Sequence, residues 1–512
     1  MAVTYLSPGV YVEEVDRGTK PIQAVGTSTA AFIGLTAEAS RKAIDPKTGN
    51  RVVVEYRLNK STLVSNWTQF VDIFGDFIPG AYLPDAVYGY FANGGGPCYI
   101  VSLRTLREAG EEPKLAEVAI PSKGKGASFI IRSKTRDLQG NPLPIKIEPA
   151  GEDTFNLSVG SETKSGLTMK KVGENYVGNA SFEAVTIENI GPASAIPADG
   201  SYTLPGGKMP ALTAADFIGD STERTGLEGL EALDDVRLIA IPDLVAGYDG
   251  STEARERVKA VQEALIAHCK RLRYRFAVLD TPPGLNAQQV IEWYSYVNFD
   301  SSYAAMYYPW IYIADLSGPG ATRKLVPPSG YMLGIYNRTD ADRGVYKAPA
   351  NDVVTGALDL ELQISKGEQE LLNPKGINCI RAFPGRGIRI WGARTLSSDG
   401  AWRYVSVRRL FITVEASLDA GMQWVVFEPN DRTLWAKVRR DATSFLKTFW
   451  LSGALFGNTP EEAFYVKCDE ELNPPEIRDL GQLIIEVGLA PVKPAEFVIF
   501  RITQWVGANA ET

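Results

Sequence analysis

The chain has 512 residues, 45% of them hydrophobic and 10% aromatic, which is enough apolar material for several packed cores and too much for a disordered polymer. Its formal charge of −8 argues against a nucleic-acid binder, which needs a basic surface to displace counterions. The longest apolar run, residues 303–314, is interrupted by Pro309 and falls short of the ~20 residues that a membrane helix needs, so no membrane insertion is expected.

Residues 1–22 read as an extended arm. Pro8 and Gly9 break the chain, and neither face of Val10, Tyr11, Val12, Glu13, Glu14 and Val15 is cleanly apolar. Such an arm cannot bury itself and needs a sheet edge. The first residues lack the basic start and apolar core of a secretory signal, so folding in a cytoplasm is expected. Residues 23–104 read as α/β. A strand is predicted over 29–35, helices around 67–74 and 85–91, and a strand over 98–103.

Residues 105–211 change character. Gly, Pro, Lys and Ser rise, and short alternating runs at 129–132, 145–147, 155–159 and 182–187 predict an inserted, exposed β-rich domain. The α/β pattern returns over 212–345, with strands at 236–241, 276–279 and 304–313 and helices at 253–269 and 287–297. Near-continuous apolar strands separated by helices imply a parallel sheet covered on both faces. The insertion therefore splits one α/β domain.

Residues 346–512 are expected to form an α+β unit. It holds a strand at 388–390, a helix at 403–422, a helix at 431–450 and two closing strands at 483–489 and 497–505. On the second helix Leu434, Val438, Ala442, Phe445 and Phe449 make an apolar stripe. At about 100° per residue, Lys437, Arg440, Ser444 and Lys447 fall opposite it.

Catalytic chemistry is sparse. His268 is the single histidine, and its place at the edge of the 253–269 stripe suits packing better than a nucleophile pair. Cys98, Cys269, Cys379 and Cys468 are too scattered for a zinc or disulfide motif. No phosphate loop or dinucleotide motif occurs. The Gly94-Gly95-Gly96-Pro97 turn ends a helix where a phosphate cradle would start one. Neither an enzymatic activity nor a cofactor is expected.

Eight short segments then recur in order. They are Ser7–Val15 (SPGVYVEEV), Val25–Gly34 (VGTSTAAFIG), Phe91–Val101 (FANGGGPCYIV), Ala232–Pro242 (ALDDVRLIAIP), Pro327–Gly330 (PPSG), Ala348–Asn351 (APAN), Gly387–Leu396 (GIRIWGARTL) and Trp402–Arg409 (WRYVSVRR). Together they resemble contractile tail sheath proteins of phage tails and phage-tail-like injection systems. The resemblance covers residues 1–104 and 212–512 and leaves out the insertion. It implies a structural subunit that stacks as six-fold rings around an inner tube. It further implies assembly in an extended, metastable state and contraction that drives the tube through a target envelope.

The implied partners are other copies of the chain, the inner tube, and baseplate and tail-terminator or cap proteins. Assembly in a bacterial cytoplasm, as part of a phage tail or a phage-tail-like particle, is implied as well. The resemblance also implies strand exchange between copies. It assigns Val10, Tyr11, Val12, Glu13 and Val15 of the arm to that role, with Leu483, Ile485, Phe497, Ile499, Arg501 and Trp505 near the other end. The Lys437, Arg440, Ser444 and Lys447 stripe becomes the expected tube contact. Residues 381–409 hold seven arginines against one acid, Asp399. Arg389, Arg394, Arg403, Arg408 and Arg409 are expected to tie the fold or its neighbours through carboxylates. An α/β hydrolase using the split domain and a subunit of another phage-like assembly are the rival readings.

Overall fold

In the computed structural model of the chain, the described residues are 22–44, 51–105, 117–134, 143–182, 184–204, 212–317 and 322–501. The strand Ala30–Thr36 is buried along its full length and lies within the largest sheet. Among the described residues that sheet has eight strands. Their spatial order is 387–390, 377–383, 304–308, 276–280, 238–240, 30–36, 98–105 and 62–64. The six inner strands are parallel, and the strand at each edge is antiparallel to its neighbour.

Alternate residues of the central strand serve opposite faces, as the two-residue period requires. Ala31 and Ile33 join a core with Val258, Val261 and Leu265 of the helix Thr252–Leu272. Phe32 instead meets Tyr90 of the helix Leu83–Ala92, ring edge to face at 5.3 Å. A second helix, Ser329–Arg343, packs on that same side. Gly330 and Gly334 leave no room for a side chain against Ala86 and Tyr90. Apolar strands with helices on both faces are the expected outcome of this pattern.

Three differences from the sequence reading have physical causes. The strand expected over 304–313 is two strands, Ala304–Tyr308 in the large sheet and Ile311–Ala314 in a three-stranded antiparallel one. Pro309 has no N–H to give a ladder, so pairing stops there. Residues 377–390 were expected in the C-terminal unit. They extend the large sheet instead, because Met306–Tyr308 offer a free parallel edge to Ile377–Cys379. The domain boundary therefore moves from 346 to 405/406. One unit holds residues 28–342 and 349–405. The other holds residues 22–27, 343–348 and 406–501.

Within the larger unit, the insertion forms a four-stranded sheet and a three-stranded sheet around one apolar core. Phe129 and Phe155 stack in that core with ring centroids 5.9 Å apart. A hairpin of Ser40–Ile44 and Arg51–Tyr56, not foreseen from the sequence, precedes it.

The smaller unit is built on two long helices, Val405–Gly421 and Arg432–Leu451. Leu410 and Val414 of the first meet Phe445 and Leu446 of the second, beside the antiparallel pair Phe464–Lys467 and Glu486–Leu489.

Candidate assembly surfaces

The smaller unit carries the features that sequence reasoning marked for assembly. Residues 22–27 run along the helix Val405–Gly421. Ile22 packs against Gly421, where any Cβ would collide with its side chain. The Val25 N–H donates to Ser417 Oγ at 3.0 Å, and the buried Arg409 donates to the Thr27 carbonyl at 3.1 Å. This clamp fixes the point from which the arm leaves. The arm residues Val10, Tyr11, Val12, Glu13 and Val15 lie outside the described residues.

The sheet of this unit has two strands among the described residues. Phe464 pairs with Leu489 and Val466 with Val487, and these four lean on the helical core. Two strands are fewer than an independent sheet usually needs. The strand expected over 483–489 begins only at Glu486. Leu483 and Ile485 pack against the cluster of Leu434, Trp435, Val438 and Cys468. Asn473 pins both backbone groups of Ile484, accepting from its N–H at 2.7 Å and donating to its carbonyl at 2.9 Å. Leu483 and Ile485 are half-buried against that cluster, just before the strand begins. Past Pro491 the chain runs on without strand pairing through the last described residue, Arg501. Phe497, Val498, Ile499 and Phe500 are all more than 70% exposed. Trp505 lies outside the described residues.

On the helix Arg432–Leu451, Leu434, Val438, Ala442 and Phe445 are buried as expected, Phe449 is half-buried, and Trp435, Asp441 and Leu446 are buried as well. Lys437, Arg440, Ser444 and Lys447 are all exposed. Arg440 pairs with the neighbouring Asp441 at 3.1 Å.

The arginines of the segment differ in their surroundings. Arg389 donates to the carbonyls of Arg386 and Asn351 at 2.9 and 2.7 Å. Arg394 is buried and donates to the Asn373 carbonyl at 3.1 Å. Arg403 is exposed. Arg408 pairs with the Glu415 carboxylate at 3.2 Å. Carbonyl oxygens, which sequence reasoning overlooked, take the guanidinium donors of Arg389, Arg394 and Arg409.

Two family models match the chain consecutively. Phage tail sheath protein central domain matches residues 225–396, and phage tail sheath C-terminal domain matches residues 397–504. A prophage major tail sheath protein of Pseudomonas aeruginosa (strain UCBPP-PA14) is 30% identical over 314 residues, which are 58% of this chain and 75% of that relative. The chain belongs to the phage tail sheath protein family. Solved sheath chains share its architecture. The sheath complex of an extracellular contractile injection system (PVC) in the contracted state superposes with a TM-score of 0.59 at 26% identity, covering 99% of both chains. A chain of the six-fold-symmetrised baseplate of the anti-feeding prophage gives 0.57 at 25% identity, covering 98% and 99%.

This sheath subunit is a structural protein and not an enzyme. His268 is buried, and its Nε2 accepts from Arg275 at 2.7 Å. Burial and then the Arg275 and Arg271 charges lower its pKa to about 3, so it stays neutral. The four cysteines are buried, and burial pushes the thiols of Cys269 and Cys379 up to about 12.

The larger unit of the sheath subunit also buries carboxylates that the sequence did not reveal. Asp280 is fully buried and accepts the Ser329 N–H at 2.9 Å. Burial raises its pKa to about 7. An unfolded aspartate ionises near pH 4. Between about pH 4 and 7 the unfolded chain therefore releases a proton that the folded chain keeps, and stability falls as pH rises. Asp280→Asn removes this titration. The stability difference, variant minus wild type, should grow with pH through that window by about 1.4 kcal/mol per pH unit. Thermal melts from pH 4.5 to 7.5 measure it, and parallel curves for the two proteins would rule the assignment out.

Proposed function

We propose that copies of this chain stack as six-fold rings around an inner tube and contract to drive it through a target envelope. In this reading, strands donated from neighbouring copies complete the two-stranded C-terminal sheet. The arm before Ile22 is one donor, and the segment holding Phe497, Ile499, Arg501 and Trp505 is the other. Leu483 and Ile485 hold the receiving strand in place from below. The observation that carries the reading is the pairing of a sheet of two strands with an exposed apolar segment, Phe497–Phe500, that joins no ladder among the described residues. Edge pairing of this kind satisfies backbone groups on both sides and blocks aggregation at the open edge. The six-fold anti-feeding prophage baseplate, which contains a chain of this fold, supports the ring symmetry and a baseplate partner. A terminator or cap protein would close the other end. The subunit would assemble in a bacterial cytoplasm and travel on a phage tail or a phage-tail-like particle.

The inner tube meets Lys437, Arg440, Ser444 and Lys447. An exposed row of cations on a rigid helix suits an acidic tube surface, and such contacts release readily because salt screens them. The pair Lys437→Glu and Lys447→Glu is expected to leave folding intact, since both side chains are exposed and, unlike Arg440, neither sits on the buried Asp441. With tube protein present, electron micrographs should show empty or prematurely contracted sheaths. Extended, tube-filled sheaths at wild-type yield would reject the tube contact.

A further inference from the structure

Gln423–Val425 forms a single turn of 3-10 helix after the first long helix, and the chain then reverses before the second helix begins. The Glu428 N–H donates to the Val425 carbonyl at 3.1 Å, closing a four-residue turn. Val426 is extended, with φ −65° and ψ 130°, and Phe427 has φ +68°. That combination is a type II turn, whose third position favours glycine or asparagine. A bulky residue there is held in a strained backbone conformation that L side chains avoid. Among the described residues the side chain has nothing to pack on, because Phe427 is 103% exposed.

The surroundings are hydrogen-bonded to the rest of the unit. Asn430 accepts from Trp435 Nε1 at 2.7 Å and donates to the Gln482 carbonyl at 2.8 Å, tying the turn to the loop that carries exposed Leu480. Strain and full exposure at one aromatic, on a braced turn, point to a contact made outside the subunit.

We infer that Phe427, with Val426 beside it, is an apolar anchor that inserts into a second copy of this chain in the assembled sheath. The inference rests on the polymer reading above, and two observations select the occupant. Exposed Glu428 adjoins the anchor, and an acidic tube of the kind inferred for the lysine and arginine stripe would repel it. The patch is also small against the 1,200–2,000 Å² or so of a self-standing interface, so it counts only where a lattice repeats it.

Two experiments decide the matter. The first places the photo-crosslinker p-benzoylphenylalanine at position 427 in assembled, tube-containing particles. Adducts between two sheath subunits are expected. Adducts to tube protein, or none from intact particles, would overturn the inference. The second uses Phe427→Gly and Phe427→Asn, both of which suit the turn. The free subunit should melt at or above the wild-type temperature. The concentration needed to polymerise should rise on the order of tenfold, the worth of one buried aromatic side chain. A lower melting temperature with normal polymerisation would instead place Phe427 in its own subunit's packing. If particles crosslink but lack six-fold rings or a tube, the ring reading fails and the anchor stands.

Discussion

Deletion of residues 1–20 is expected to yield a folded subunit that no longer builds long sheaths. The cut leaves the Ile22–Thr27 clamp on the helix Val405–Gly421 in place, so the melting temperature should stay within a few degrees of the intact chain. On the strand-exchange proposal, what is lost is the donated strand. Six arm residues could form about four to six backbone hydrogen bonds, at roughly 0.5–1.5 kcal/mol net each. Ordering them costs about 1–2 kcal/mol per residue, which nearly cancels the gain from one link. Burial of Val10, Tyr11, Val12 and Val15 decides the balance, and avidity through a lattice multiplies the small surplus. Removing every arm at once therefore removes a cooperative network. Sedimentation and electron microscopy should find monomers and short rings at concentrations where the intact chain forms tubes. Long sheaths from the truncated chain would remove the arm from the assembly account.

The parallel sheet and the long helices were legible because burial on two faces, or along one stripe, leaves a period in the sequence. The helix predicted over 287–297 spans Ala287–Val297, and the one predicted over 431–450 spans Arg432–Leu451. The helix Ser329–Arg343 left no such trace. Nine of its residues are buried, from Ser329 through Tyr336 and at Thr339, so its first two turns have no polar face to mark a period. The boundary at 405/406 was hidden for a different reason. Strands 377–383 and 387–390 join the large sheet through an edge formed more than 60 residues earlier in the chain, and no local pattern encodes that pairing.

The same contrast holds at the assembly surfaces. The Lys437, Arg440, Ser444 and Lys447 row could be read from helical geometry alone. The strained Phe427 could not, because positive φ leaves no mark in a sequence unless glycine or asparagine occupies it. The hold on the backbone of Ile484, between Leu483 and Ile485, comes from Asn473, eleven positions away, and no local pattern announces it.

Asp243 shows what such long-range ties are worth, and Asp243→Ala should be among the most damaging single changes in the larger unit. Its carboxylate is fully buried and accepts three backbone N–H groups, from Leu35 at 2.7 Å, Tyr82 at 2.5 Å and Leu83 at 3.2 Å. It thereby joins the end of the strand Ala30–Thr36 to the first turn of the helix Leu83–Ala92, whose N-terminal dipole favours a negative charge. Burial still raises its pKa, to about 6, so the three donors offset only part of the desolvation. Alanine would orphan all three N–H groups, at about 1–3 kcal/mol each when no water reaches them. A loss of roughly 3–5 kcal/mol is expected from chemical denaturation, the range found when one side of a buried charged contact is removed. Asp243→Asn keeps one oxygen but turns an NH₂ group toward an N–H donor, so it should fall between alanine and wild type. Gly34→Ala tests the same contact from the other side, because its Cβ would collide with the Asp243 carboxylate and push it off Leu35. If Asp243→Ala stayed within about 1 kcal/mol of wild type, the three hydrogen bonds would not be what couples this strand to this helix.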